Sequence, residues 1–229
     1  MTSSLEFNKC EWHLFDGTAL TAISSMPTCI PGLEIPSIAF GTWRLGNGDS
    51  VVQQVIQAAA VGIRHFDTAQ AYRNETEVGL ALQYIMKETG LKRDEIFITT
   101  KWSALKGVGI KDSVEQSLKD LGVSYVDLYL IHHPRLPVPD IPSAWKEMEE
   151  VYRNGFAKAI GVSNFDVQDL ATLLEVAAVK PAVNQILLHP YIYEQQQPIV
   201  KFAQEHGIVI EAYSVLKRVN HHRILLQSH

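Results

Sequence analysis

The stretch that decides the fold is His65-Phe66-Asp67-Thr68-Ala69-Gln70-Ala71-Tyr72-Arg73-Asn74-Glu75. It follows a helix-like run and the turn residue Gly62, and Ile63 to Phe66 reads as a short buried strand. Asp67 then stands at the carboxyl end of that strand, with Tyr72 in the loop beyond it. Asn74 opens the next helix, with Glu77 three positions on, the spacing of a capping box. Polar residues just beyond strand ends are where parallel α/β proteins assemble ligand sites.

Working outward, the same unit recurs along the chain. Ser37–Thr42 reads as a buried strand, preceded at Cys29–Pro36 by a hairpin with Pro31-Gly32 as its turn. A helix capped by Ser50 with Gln53 carries Val51, Val52, Val55, Ile56 and Ala59 on one side. The helix opened by Asn74 runs to Thr89, where Gly90 stops it. Further strands are read at Ile96–Thr100, Val126–Ile131, Ala157–Val162, Ala182–Ile186 and Ile208–Ala212, each separated from the next by an amphipathic helical pattern.

Alternation of this kind allows a (β/α) barrel or a doubly wound sheet. The polar residues favour the barrel. Asp67, Lys101, His132, Ser163-Asn164, Gln185 and Tyr213 fall at or near the ends of six successive strands, and only a closed barrel brings so many ends to one mouth.

Composition narrows the function classes. The chain has 229 residues, 46% of them hydrophobic, and a net charge of −5, so it suits one large core and carries no basic footprint for nucleic acid or an anionic membrane. Cys10 and Cys29 make neither a disulfide framework nor a metal quartet. The start lacks a signal peptide's pattern, and no apolar run approaches the ~18 residues of a membrane helix. A cytoplasmic location follows as the expectation; oligomeric state has no signal in the sequence. Residues 1–24, with a strand read at Thr18–Ile23, form an extension, and 25–229 the barrel domain.

The residues at the expected mouth suggest a chemistry. A tyrosine hydroxyl has a pKa near ~10, and a neighbouring ammonium lowers it while a carboxylate keeps that ammonium charged and fixed. Tyr72, Lys101 and Asp67 supply those groups, and His132 supplies a hydrogen bond to orient a carbonyl oxygen. The set suits protonation of an oxygen gaining negative charge. No side chain donates hydride, so carbonyl reduction requires a cofactor. Ser163, Asn164 and Gln185 offer bonds to a carboxamide, and Tyr213 a ring to stack on a flat heterocycle. Blander roles remain open: Lys101 as a solvated strand end, and Ser163-Asn164 as a cap for the next helix. His132-His133 as a zinc pair is disfavoured, because adjacent strand residues point oppositely and no third ligand is evident.

Gly41-Thr42-Trp43, His65-Phe66-Asp67-Thr68-Ala69 with Tyr72, Thr100-Lys101, Leu130-Ile131-His132, Gly161-Val162-Ser163-Asn164-Phe165, Asn184-Gln185 and Ala212-Tyr213-Ser214 together resemble the successive motifs of the aldo-keto reductases. The resemblance covers residues 30–215 in the family's order. It implies a (β/α)8 TIM barrel, NADPH bound without a Rossmann motif, and reduction of an aldehyde or ketone to an alcohol. By the same resemblance Tyr72 is the proton donor, Lys101 and Asp67 tune it, and His132 orients the substrate. Thr42, Asp67, Ser163, Asn164, Gln185, Tyr213 and Ser214 become cofactor contacts, and Trp43, Trp102, His132 and His133 line the substrate pocket.

The chain departs from the family in three places. His133 stands where many members carry Trp, and Trp102-Ser103 where Leu-Trp is common. Beyond Ser214 the family continues with a helix, an eighth strand and a last helix, which Val215–His229 does not resemble. The expected barrel is therefore truncated after its seventh strand, without the residues that grip the adenosine phosphate. A catalytically impaired barrel acting as a binding or regulatory protein, as some relatives do beside ion channels, is the alternative reading.

Overall fold

A computed structural model describes residues 28–30 and 33–216; the extension at 1–24, its expected strand and the tail from Arg218 lie outside the described residues. A hairpin of β1 (Thr28–Ile30) and β2 (Leu33–Ile35) comes first, paired antiparallel with Thr28 opposite Ile35. Seven parallel strands follow: β3 (Ala39–Gly41), β4 (His65–Asp67), β5 (Phe97–Trp102), β6 (Val126–Ile131), β7 (Ala157–Ser163), β8 (Val183–Leu187) and β9 (Val209–Tyr213). They pair strictly in chain order. The intervening helices are α1 (Asp49–Ala60), α2 (Glu75–Thr89), α3 (Ile110–Leu121), α4 (Ile141–Arg153), α5 (Val167–Leu174) and α6 (Tyr193–Glu205).

The sheet is curled into most of a barrel. In a flat sheet β4 and β8, four strands apart, would lie roughly 19 Å from each other. Instead the Gln185 amide on β8 donates to Asp67 Oδ2 on β4 at 2.8 Å. Strand alternation then divides the residues between lumen and helices. Phe66, Ile98, Tyr129, Ile160 and Val162 belong to the large core beneath the helices, with Trp145, Leu121 and Val55. Phe97, Leu128, Leu130, Ala159 and Val183 face the lumen and form a second, smaller core, closed off by Ile35 and Leu33 of the hairpin.

Two helix starts differ from the sequence reading, for one shared reason. Helix α2 does begin after Asn74 and ends at Gly90 with φ +74°, but the Asn74 side chain makes no cap bond to its own helix. It reaches across to the loop after β3, donating to the carbonyls of Thr42 and Gly46 at 3.0 and 3.1 Å and accepting from the hydroxyls of Thr42 and Thr68. Glu77, freed from a capping box, accepts from the Gly48 amide at 3.0 Å. That bond holds the start of α1, whose N-cap is Gly48 rather than Ser50. A buried amide with four partners in two loops outweighs a local cap. Tertiary contact decides both ends.

Candidate active site

The inward register carries polar residues at the carboxyl ends of the strands. Counting inward positions from the lumen core gives Asp67 on β4, Thr99 and Lys101 on β5, Gly161 and Ser163 on β7, Gln185 on β8, and Glu211 and Tyr213 on β9. His132 follows β6 in the same parity, and its backbone N–H bonds the Trp102 carbonyl at 3.1 Å, extending the ladder.

Lys101 is fully buried rather than solvated, and its three ammonium protons meet three acceptors. These are Asp67 Oδ1 at 2.5 Å, the Thr68 carbonyl at 3.0 Å and the Tyr72 hydroxyl at 3.4 Å. Burial alone would lower the lysine pKa, but Asp67 and Tyr72 more than offset it, and the net shift is upward. The ammonium is therefore permanently charged at neutral pH. Tyr72 differs from the sequence expectation. Burial of the phenol pushes its pKa up, and Lys101 pulls against that without reversing it. The hydroxyl stays protonated at rest, the state a proton donor needs.

The His132 ring stands edge-on to Tyr72, centroids 5.5 Å apart at 75°. Burial, assisted by the Lys101 charge, lowers its pKa to about 4, so the imidazole is neutral. Its Nδ1 lies 2.8 Å from Ser103 Oγ.

Across the mouth, the Asn164 amide, on a residue with φ +63°, donates to the His132 carbonyl and to Ser163 Oγ, and accepts from the Tyr213 hydroxyl at 2.8 Å. The Ser163 hydroxyl donates to the Gln185 backbone carbonyl. Helix α5 is capped by Asp166, whose carboxylate accepts from the Asp169 amide, so Ser163 and Asn164 are not spent as its cap. Gln185 gives one amide proton to Asp67 and the other to Glu211 Oε2 at 2.9 Å. With both protons committed, what the Gln185 side chain has left is its amide oxygen Oε1, and Asn164 Oδ1 keeps a second lone pair. Two such acceptors suit the NH2 of a primary amide.

Other candidates sit elsewhere. Thr42 is buried with its hydroxyl on Asn74, anchoring the loop that carries Trp43. Trp43 is 52% exposed at the rim, with the Arg44 guanidinium 4.2 Å from its ring centroid. His133 Nδ1 accepts from the Arg135 amide in the loop after β6, and Ser214 is exposed with φ +56°. Trp102 requires correction as a pocket residue: with Lys101 pointing inward its neighbour must point outward. It packs in the helix-side core, its indole N–H on the Val108 carbonyl. Ser103, one residue on, is the one that reaches the site.

Ser103 and Glu211 were missed from sequence. Glu211 stands two before Tyr213 on β9, so strand alternation alone would have placed it inward. Burial pushes its carboxyl pKa up, with His65 opposing, and Oε1 has no partner among the described residues. Also among the described residues, no group of three or more His, Cys, Asp or Glu is arranged to hold a metal ion, and no helix is long and apolar enough to cross a membrane.

Residues 37–218 match the family model for the aldo/keto reductase family. The chain is 44% identical over 202 residues to the NADPH-dependent alpha-keto amide reductase of Saccharomyces cerevisiae, covering 81% of this chain and 64% of that protein. It is 40% identical to aldo-keto reductase family 4 member C11 of Arabidopsis thaliana, covering 81% and 62%. Among solved structures it superposes on an aldo/keto reductase of Brucella melitensis with a TM-score of 0.71 at 38% identity, covering 81% and 71%. It also superposes on a Bombyx mori aldo-keto reductase in complex with NADP, with a TM-score of 0.72 at 34% identity, covering 83% and 67%. The chain spans about two thirds of the length of the curated relatives it matches.

Proposed function

The chain belongs to the aldo/keto reductase family, and on that footing we propose that it reduces an aldehyde or ketone to the alcohol with NADPH, Tyr72 donating the proton. The observation that carries this reading is the chain Asp67–Lys101–Tyr72, a buried carboxylate holding a buried ammonium against a protonated phenol.

The amide acceptors left on Gln185 and Asn164 fit the nicotinamide carboxamide, and Tyr213 beside them fits the ring. NADPH held there would supply hydride chemistry. The protein's own groups handle the oxygen. His132, neutral and edge-on to Tyr72, gives a hydrogen bond that turns the carbonyl oxygen toward the phenol. Tyr72 passes its proton to that oxygen as negative charge builds there. Lys101, already 3.4 Å from the hydroxyl, stabilises the phenolate left behind. Asp67 keeps the ammonium in place, and Gln185 keeps Asp67 in place. Trp43 at the rim offers an apolar wall to the substrate, so a carbonyl compound with an apolar or aromatic substituent is the substrate class proposed.

Substituting Tyr72→Phe tests this directly, because it removes one hydroxyl and keeps the ring. Reduction should fall by about 10²–10⁴-fold, the contribution of a positioned general acid. NADPH affinity, read by protein fluorescence, should stay within about fivefold, a change of less than ~1 kcal/mol. Retention of most activity would assign the proton to another group.

A further inference from the structure

We propose that Ser103 is a positioning residue: its hydroxyl donates to His132 Nδ1, which fixes the imidazole in the tautomer carrying hydrogen on Nε2 and aims that N–H at the substrate oxygen. The inference rests on the reductase reading for its purpose, and on geometry alone for its content.

The backbone of His132 is held at both ends. Its N–H bonds the Trp102 carbonyl at 3.1 Å, and its carbonyl accepts from the Asn164 amide, also at 3.1 Å. What remains free is rotation of the ring and the choice of which nitrogen carries the hydrogen. Ser103 Oγ, 2.8 Å from Nδ1, limits both. A hydroxyl next to a neutral imidazole can accept from Nδ1–H or donate to a bare Nδ1. Accepting would leave the serine hydrogen needing another acceptor in a half-buried position, whereas donation satisfies it with the nitrogen already in reach. Donation leaves Nδ1 without hydrogen, so the single ring hydrogen is on Nε2, and that nitrogen is the one free to turn to a ligand.

Ser103 is itself braced. Its backbone N–H bonds the Gln70 side chain at 3.4 Å, and Gln70 begins the short turn that ends at Tyr72. One residue thus links the loop of the proton donor to the ring that orients the carbonyl. The indole of Trp102 faces away into the helix-side core, which leaves this side of the mouth to the small serine.

Long-range proton–nitrogen correlation spectra of the 15N-labelled, ligand-free full chain report histidine tautomers, with the His132 signals assigned by their loss in His132→Gln. The unsubstituted chain should show His132 as a single Nε2–H tautomer, and Ser103→Thr, which keeps the hydroxyl, should show the same. Ser103→Ala should lose that single tautomer while the other histidine signals stay in place. In turnover Ser103→Ala should lower kcat about threefold to tenfold, the effect of one lost neutral hydrogen bond, with the KM for NADPH unchanged. An Nδ1–H tautomer in the unsubstituted chain, or an unaltered His132 signal in Ser103→Ala, would overturn the proposal. A chain that shows the Nε2–H tautomer and its loss in Ser103→Ala yet reduces no carbonyl would count against the reductase reading while upholding the hold of Ser103 on the ring.

Discussion

At the scale of single residues, charge opposes the effect of burial at Lys101 and Tyr72 and reinforces it at His132. Tyr72, Lys101 and His132 are all desolvated, and desolvation favours the neutral form of each. Lys101 escapes because Asp67 sits on it, Tyr72 remains a phenol, and His132 is left neutral. The histidine makes a prediction about stability. Its folded pKa of about 4 lies below its ordinary 6.5, so between those values the unfolded chain binds more protons than the folded one. The contribution is complete above pH 6.5 and is lost as pH falls through 4. Urea denaturation across that window should show stability falling with pH, and His132→Gln should flatten part of the fall. An unchanged slope in the variant would mean that the ring is solvated and titrates normally. Residues with an obvious chemistry were legible from sequence. The inward side of Glu211 follows from strand alternation, but the partners of Ser103 and Glu211 do not, because His132 and Gln185 reach them only through the fold.

At the scale of elements, the alternation of strand and helix and the positions of the strand ends could be read directly, since buried parallel strands are short apolar runs and each is followed by an amphipathic helix. Helix beginnings were harder. Asn74 with Glu77 has the local spacing of a capping box, yet Asn74 ties two loops together and Glu77 caps a different helix, at Gly48. The same lesson applies to Trp102, whose side follows from Lys101 and not from the family's neighbouring residues. Asn74 can be tested as a tie rather than a cap. Asp serves as well as Asn at an N-cap, but in Asn74→Asp a carboxylate would face the carbonyls of Thr42 and Gly46 where the amide now donates. The variant should lose at least about 2 kcal/mol of unfolding free energy, from buried groups left unpaired. Measured by urea denaturation, a loss below about 0.5 kcal/mol would restore the capping role.

At the scale of the whole molecule, seven strands in chain order curl far enough for β8 to touch β4, and the described strands leave β3 and β9 as the edges of the sheet. The barrel class was legible because six successive strand ends carried polar side chains, and Gln185 meeting Asp67 across the lumen is the physical form of that pattern. The groups assembled there, a charged lysine against a phenol on one side and amide acceptors on the other, all lie within the described residues. Whether they act together on a carbonyl is tested most directly by product analysis. Purified chain is incubated with NADPH and a panel of apolar and aromatic aldehydes and ketones, and the alcohol formed is quantified against the NADPH consumed. At least one compound should yield alcohol in equimolar amount with the NADPH lost, the result of joint action on a carbonyl. NADPH bound at saturation with no alcohol from any member of the panel would contradict it.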